Sequence, residues 1–333
     1  MKEEQMLAID KQSYITDLEE FSQHVKDGYS LPGDLKVDKK NIEKIVVTGM
    51  GGSAIPGDLL KVYMNQETKI PVFVNRNYSL PNFVDSKTLV FAISYSGNTE
   101  ETVESLRDAF RKGCDVVAIS SGGKIKEMAN LHHKQFVQVP SKHQPRAMIG
   151  YLFFSMLKVL VNFGIIKDVS KEVGEISKYL DNDSFKKKGA ELAKNMLDKI
   201  PLIYSSEELY PVAMRFKTQI NENAKIHAFY NTFSEMNHNE ILGFTNMDVP
   251  YHMVIFGSDS DHPRIKKRYE ICKRLINSRV DVTQMNLSGN SFLKRMLTAI
   301  HLGDWTSYFM AIYKEVDPSP VDDIEKLKKD LKR

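Results

Sequence analysis

Five consecutive apolar residues, Leu89-Val90-Phe91-Ala92-Ile93, run directly into Ser94-Tyr95-Ser96-Gly97-Asn98-Thr99-Glu100-Glu101-Thr102. A short unbroken apolar run reads as a strand buried on both faces, the mark of a parallel sheet covered by helices. The residues that follow are apolar at 103, 106 and 110, a helical spacing. A strand that passes through hydroxyls and a glycine straight into a helix makes an anion site. The free N–H groups of the first turn converge there, and the helix dipole favours negative charge. Ser94, Ser96 and Thr99 add hydroxyl donors, enough to hold a phosphate without a lysine. The same letters also allow an ordinary helix start, with Asn98 as N-cap and Glu101 completing a capping box.

The surrounding chain alternates strands with helices. Residues 6 to 28 read as a leading amphipathic helix, and Asp38 to Glu43 as a polar approach to the strand Ile45-Val46-Val47-Thr48. That strand ends in Gly49-Met50-Gly51-Gly52-Ser53-Ala54, followed by a helix burying Leu59, Leu60, Val62 and Tyr63. Strands Val72–Val74, Leu89–Ile93, Val116–Ile119 and Phe136–Val139 complete the first unit. The second half repeats the plan loosely. Leu202–Ser206 is again a strand ending in serines, Met253–Ser258 matches the strand at 89–94, and Val280–Val282 answers Val116–Val117. Helices run through Met214, Phe216 and Ile220, and through Tyr269, Ile271, Cys272 and Leu275. The tail 322–333 carries Val321, Ile324, Leu327 and Leu331 at helical spacing. The expectation is an α/β protein of two doubly wound parallel sheets, divided as 1–155 and 156–333.

Charge excludes one class of partner. Lys plus Arg number 46 against 43 Asp plus Glu, a net charge of +3, so no electrostatic case exists for nucleic acid. The two cysteines, Cys114 and Cys272, lack CxxC spacing and suit a reducing compartment. The acidic start, Met1 to Gln5, is not a signal peptide. The most apolar segment, Met148 to Val161, is broken by Lys158 and falls short of the roughly 20 residues a membrane span needs, so it reads as a buried helix. A cytoplasmic protein is expected, with no membrane partner.

A rival reading rests on Gly49 to Ala54, which satisfies the dinucleotide pattern GxGxxA between a strand and a helix. Such a site wants an acidic residue about 20 positions on. Here the second strand ends in Asn75-Arg76-Asn77, leaving only an NADP version in which Arg76 meets a 2′-phosphate. That version does not explain the hydroxyls at 94–99. Two hydroxyl-bearing loops at the ends of nearby parallel strands suit one small phosphate better than a long dinucleotide.

The loops GMGGSA (49–54) and SYSGNTEET (94–102) together resemble the SIS, or sugar isomerase, domain. Three further segments narrow the likeness: Pro145-Arg146-Ala147-Met148, Gln219-Ile220-Asn221-Glu222-Asn223, and Glu235-Met236-Asn237-His238-Asn239-Glu240. With Asp317-Pro318-Ser319-Pro320-Val321 through Lys328, the chain from about 40 to 330 resembles the bifunctional phosphoglucose/phosphomannose isomerases of archaea and bacteria. The resemblance implies two SIS subdomains, no metal and no cofactor. The reaction it implies is interconversion of glucose 6-phosphate or mannose 6-phosphate with fructose 6-phosphate.

It also implies roles. Moving a proton between C2 and C1 through an enediolate needs one carboxylate base, and Glu222 stands where the family places it. Arg146 supplies fixed positive charge for the enediolate oxygen, and His238, whose imidazole can give or take a proton, suits ring opening. Lys328 matches the family's C-terminal active-site lysine, with Lys326 and Lys329 as near alternatives. Ser53, Ser94, Ser96 and Thr99, with the Gly52 N–H, hold the phosphate. The family dimer lends the histidine across its interface, and the polar segment Asn231 to Asn239 is placed to reach outward. Nine histidines invite a zinc reading, but no HExxH spacing occurs and His132-His133 are adjacent. Two other SIS readings are weaker. A regulatory sugar-phosphate sensor usually carries a DNA-binding domain, and glucosamine 6-phosphate synthase a preceding glutaminase region; neither pattern is found in this sequence.

Overall fold

The computed structural model describes residues 3–35 and 41–331. Helices α1 (Glu3–Ile9), α2 (Tyr14–Glu19) and α3 (Phe21–Ser30) lead into β1 (Lys44–Thr48), α4 (Ile55–Glu67), β2 (Val72–Asn75) and β3 (Thr88–Ile93). Then come α5 (Glu100–Arg111), β4 (Asp115–Ser120), α6 (Gly123–Leu131), β5 (Gln135–Gln138), α7 (Ile149–Asn162), α8 (Ser170–Leu180) and α9 (Ser184–Met196). The remainder is β6 (Ile200–Ser205), α10 (Tyr210–Gln219), β7 (Phe229–Thr232), α11 (Phe233–Met236), β8 (Tyr251–Ser258), α12 (Pro263–Ile276), β9 (Asp281–Leu287), α13 (Phe292–Tyr313) and α14 (Asp322–Asp330).

The chain divides into two compact units, one of residues 19–181 and one of 1–18 with 182–333. The boundary expected at 155/156 therefore stands at 181/182. Helices α7 and α8 pack on α3, which keeps them with the N-terminal sheet, whereas the first 18 residues go with the C-terminal unit.

In the N-terminal unit five parallel strands lie in the order β2-β1-β3-β4-β5. Every residue of β3 is buried, as expected for a strand between two helical layers. Val46, Val90, Ala92 and Val116 of the strands share a core with Val103, Leu106 and Ala109 of α5 and with Ile125 of α6. The chain leaves β1 towards β2 and then returns to the other side of β1, so β1 and β3 flank the point where strand order reverses. In open α/β sheets that point opens a crevice at the carboxyl ends of the strands. The C-terminal unit has four parallel strands ordered β7-β6-β8-β9, with the same reversal between β6 and β8. Its core joins Tyr204, Met253 and Ile255 to Tyr269, Cys272 and Ile276 of α12.

Two sequence expectations change. The single helix over 6–28 is three, because the Asp10 carboxylate accepts from the Tyr14 and Ile15 N–H groups, at 2.8 and 2.9 Å, and starts a new helix there. Ser13 just before it takes a left-handed φ of 55°. The approach expected over Asp38 to Glu43 lies outside the described residues as far as position 40. The tail forms α14 as expected, but Ile324, Leu327 and Leu331 remain exposed. Among the described residues no helix is long and apolar enough to cross a membrane.

Candidate active site

The serine-rich loop after β3 is folded back on itself. Ser94 is fully buried, its Oγ 2.8 Å from Thr99 Oγ1 and accepting from the Thr99 N–H at 3.3 Å. Ser96 Oγ accepts from the Asn98 N–H at 3.3 Å while its side chain stays exposed. Gly97 has φ +71°, and a Cβ there would stand 1.7 Å from the Gly122 carbonyl, so only glycine fits. Asn98 does not cap α5. Its amide donates to Ser96 O and accepts from the Lys124 N–H, stitching this loop to the one after β4. Thr99 is the N-cap residue and makes no side-chain cap bond, so the capping box with Glu101 does not form. The first turn of α5 keeps its backbone donors without a side-chain cap, beside the hydroxyls of Ser96 and Thr99.

The loop after β1 meets this one. Ser53 is buried in a 3₁₀ turn over Gly51–Ser53, and its Oγ accepts from the Tyr95 N–H at 3.1 Å. A Cβ on Gly52 would lie 3.2 Å from Arg146 Cα, so glycine at 52 admits the turn Pro145–Ala147 against the loop that follows β1. Arg146 is 3% exposed and donates from Nη1 to Gln144 Oε1 at 3.2 Å. The N-terminal unit thus brings Gly52, Ser53, Ser94, Ser96, Thr99 and Arg146 into one set of adjoining turns. Tyr95 escaped the sequence reading: it is buried, and its hydroxyl accepts from the His143 N–H at 3.1 Å, fixing the approach to Arg146. Its place inside the hydroxyl loop was the one signal available.

Arg76 has another employment. Its guanidinium pairs with the buried Asp58 carboxylate, with Nη1 3.4 Å from Oδ1, so the residue needed for a 2′-phosphate is already neutralised. Asn75 donates to Thr48 Oγ1, Asn77 O and Ser105 Oγ, which fills the end of β2 with internal bonds. These residues do not fit a dinucleotide ribose.

In the C-terminal unit Glu222 lies half-buried in a π turn, Ile220–Ala224, that ends α10. π turns inside helices recur at functional sites. Lys225 follows in the left-handed region at φ 57°, and its Nζ donates to Pro318 O at 3.1 Å, tying this turn to the segment before α14. His238 belongs to a separate turn after α11. There Phe233 and Met236 are buried, Asn237 bonds Arg268 and Cys272 Sγ at 3.0 Å each, and Asn239 donates to Glu235 at 2.6 Å. Glu240 accepts from Tyr204 OH at 2.7 Å and also from Asn231. His238 itself points to solvent. Lys328 lies exposed on α14, as do Lys326 and Lys329. Burial pushes the Cys114 thiol up to about 11, which makes it a poor nucleophile. Among the described residues no group of three His, Cys, Asp or Glu is placed to hold a metal.

Two parallel α/β units, each with a strand-order reversal, have the architecture of SIS-domain proteins. Comparison with known proteins agrees: residues 40–162 match the SIS domain, and 185–331 match the bacterial phospho-glucose isomerase C-terminal SIS domain. A hypothetical protein from Thermus thermophilus shares the fold, with a TM-score of 0.76 at 16% identity over 99% of this chain and 94% of its own. The bifunctional phosphoglucose/phosphomannose isomerase of Caldicellulosiruptor bescii is 41% identical over 93% of this chain and 96% of its own. A D-glucosamine-6-phosphate 4-epimerase of Sulfolobus acidocaldarius is 38% identical over 61% of this chain and 64% of its own. The chain belongs to the bifunctional phosphoglucose/phosphomannose isomerase family.

Proposed function

We propose that this protein is an aldose–ketose isomerase that interconverts glucose 6-phosphate and mannose 6-phosphate with fructose 6-phosphate through a cis-enediolate. The observation that carries the reading is the 41% identity to a bifunctional isomerase across 93% of the chain. The reaction needs little machinery. The cradle of Gly52, Ser53, Ser94, Ser96 and Thr99 holds the phosphate with hydroxyls and the backbone donors of α5. His238 passes the proton that opens the ring. Glu222 takes the C2 proton of the open aldose and returns it to C1, while O1 gains and O2 loses a proton. Arg146 stabilises the negative charge on the enediolate oxygens, and Lys328 adds a second positive charge. No step calls for a metal or a nicotinamide.

We further propose a cytoplasmic homodimer in which His238 serves the partner's site, a role its exposed turn suits. The test is a coupled assay with each aldose 6-phosphate in EDTA. Turnover of both is expected. Loss of turnover restored by zinc, or 4-epimerisation of glucosamine 6-phosphate without isomerisation, would overturn the reading. Subunit exchange between Glu222→Gln and His238→Ala proteins should restore about a quarter of wild-type activity, because random pairing leaves one intact site in each mixed dimer. With exchange confirmed, no recovery would put His238 in its own subunit's site.

A further inference from the structure

The segment Gln219-Ile220-Asn221-Glu222-Asn223 contains four polar side chains, and isomerisation by Glu222 accounts for only one. The other three are engaged around it. Gln219 and Asn223, one turn apart, face two residues one turn apart on α13. Gln219 Nε2 donates to Asp304 Oδ1 at 2.8 Å, and Asn223 Nδ2 donates to Ser307 Oγ at 2.9 Å. Ser307 Oγ gives its own proton to the Asp304 carbonyl at 2.8 Å, which leaves a lone pair aimed at Asn223. Arg215, a turn before Gln219, closes the set: its Nη2 is 3.0 and 2.8 Å from the two Asp304 oxygens. Gln219, Asn223, Asp304, Ser307 and Arg215 are all buried. Burial pushes the Asp304 carboxyl up, and Arg215 and Gln219 pull against it. Asn221 Nδ2 donates to Ile226 O at 2.7 Å and fixes the exit of the turn.

A buried ion pair is weak evidence of stabilisation, because desolvation offsets most of the attraction; specifying one arrangement is its better-attested use. Here the arrangement specified is the π turn, since the two rungs grip the residues on either side of Glu222. A turn free to revert to α-helical register would rotate Glu222 away from its present direction.

We propose that Asp304 and Ser307 are positioning residues for Glu222, acting through Gln219 and Asn223; the proposal rests on Glu222 being the base. The test uses the full-length protein with Ser307→Ala, which removes one hydroxyl and no charge, and Asn223→Ala. Because displacement of a catalytic group by about 1 Å can cost on the order of 10²-fold, each variant should lose at least about tenfold in kcat. KM for fructose 6-phosphate should stay within about twofold, since the phosphate cradle is untouched. The double variant should be no worse than either single one, because both remove the same rung. Unchanged kcat in Ser307→Ala overturns the proposal, as does a loss that only tracks the folded fraction in thermal melts. Asp304→Asn is a harsher version whose folding is at risk, so the Ser307 variant decides. Glu222→Gln is assayed alongside. If it keeps wild-type turnover, the base assignment falls and the positioning claim with it. If it is inactive while Ser307→Ala is normal, the positioning claim alone falls.

Discussion

The two units repeat one topology but treat the end of the matching strand differently. In the N-terminal unit, β3 ends at Ile93, immediately before Ser94, and α5 begins at Glu100 with no side-chain cap on its first turn. In the C-terminal unit, β8 ends at Ser258, and the loop that follows supplies its own anion. The Asp261 carboxylate accepts from the Ser258 N–H at 2.7 Å and from Tyr269 OH at 3.0 Å. Arg295 donates to Ser260 Oγ at 3.0 Å, and His262 Nδ1 caps the Arg264 N–H at 3.1 Å. Strand order and terminal serines are thus common to both units and do not by themselves single out the loop proposed to hold the phosphate. What distinguishes the two loops is whether a protein carboxylate and cap have already taken the donors.

The sharpest way to break this contrast is to give the N-terminal loop an internal anion of its own. Thr99→Asp places a carboxylate about where the phosphate is proposed to sit. Like charges about 4 Å apart repel by about 4 kcal/mol at an effective dielectric near 20. KM for fructose 6-phosphate should therefore rise by about 100-fold or more in steady-state assays. A KM within about threefold of wild type would mean that the phosphate lies elsewhere.

The units should also differ towards acid. In the C-terminal unit His301 is buried and accepts at Nε2 from Trp305 Nε1 at 3.2 Å. Burial depresses its pKa from 6.5 to about 3. The unfolded chain binds this proton below about pH 6.5 and the folded one only near pH 3. The contribution is therefore full above pH 6.5 and is lost as pH falls towards 3. Between pH 7 and 5 this amounts to about 2 kcal/mol. In the N-terminal unit the lowered groups Asp85 and Asp168 are exposed carboxylates that act only at lower pH. Urea melts at the two pH values should show a steeper loss in wild type than in His301→Gln. Equal losses would rule His301 out as the acid-sensitive group.

Smaller effects separate the two loops by single atoms. Ser96→Ala and Thr99→Ala should each weaken phosphate binding by about 1–2 kcal/mol, read as a KM increase of roughly 5- to 30-fold. Ser260→Ala, in the loop already filled by Asp261, should leave KM within about twofold. If Ser260→Ala raises KM as much as Ser96→Ala, the contrast between the loops is wrong.

Much of this was legible in the sequence where periodicity was unmixed. The all-apolar run at 89–93 reads as a strand covered on both sides, and β3 is that strand. The two glycine–hydroxyl loops were legible because their chemistry is local. Elements whose character is set by tertiary packing were not. Helix α13 is 22 residues long and buried almost all round, so it lacks the polar face that marks a helix in sequence. Strand β7 has only four residues, half of them exposed, at a sheet edge. Within the candidate site, the alternative helix start with Asn98 as N-cap does not form, because Asn98 is drawn to Lys124 on the next loop, a contact that nothing in the sequence shows. The roles of Gln219 and Asn223 were hidden for a similar reason: their partners lie more than 80 residues away.

In the proposed reaction the N-terminal unit holds the phosphate and Glu222 of the C-terminal unit moves the proton. Glu222→Gln tests that separation directly, with fructose 6-phosphate turnover and binding measured on the same protein. Turnover should fall by at least about 10²- to 10⁴-fold, the usual cost of losing a general base, while the dissociation constant stays within about threefold. A variant that keeps a tenth of wild-type turnover, or that loses binding in step with turnover, would contradict it.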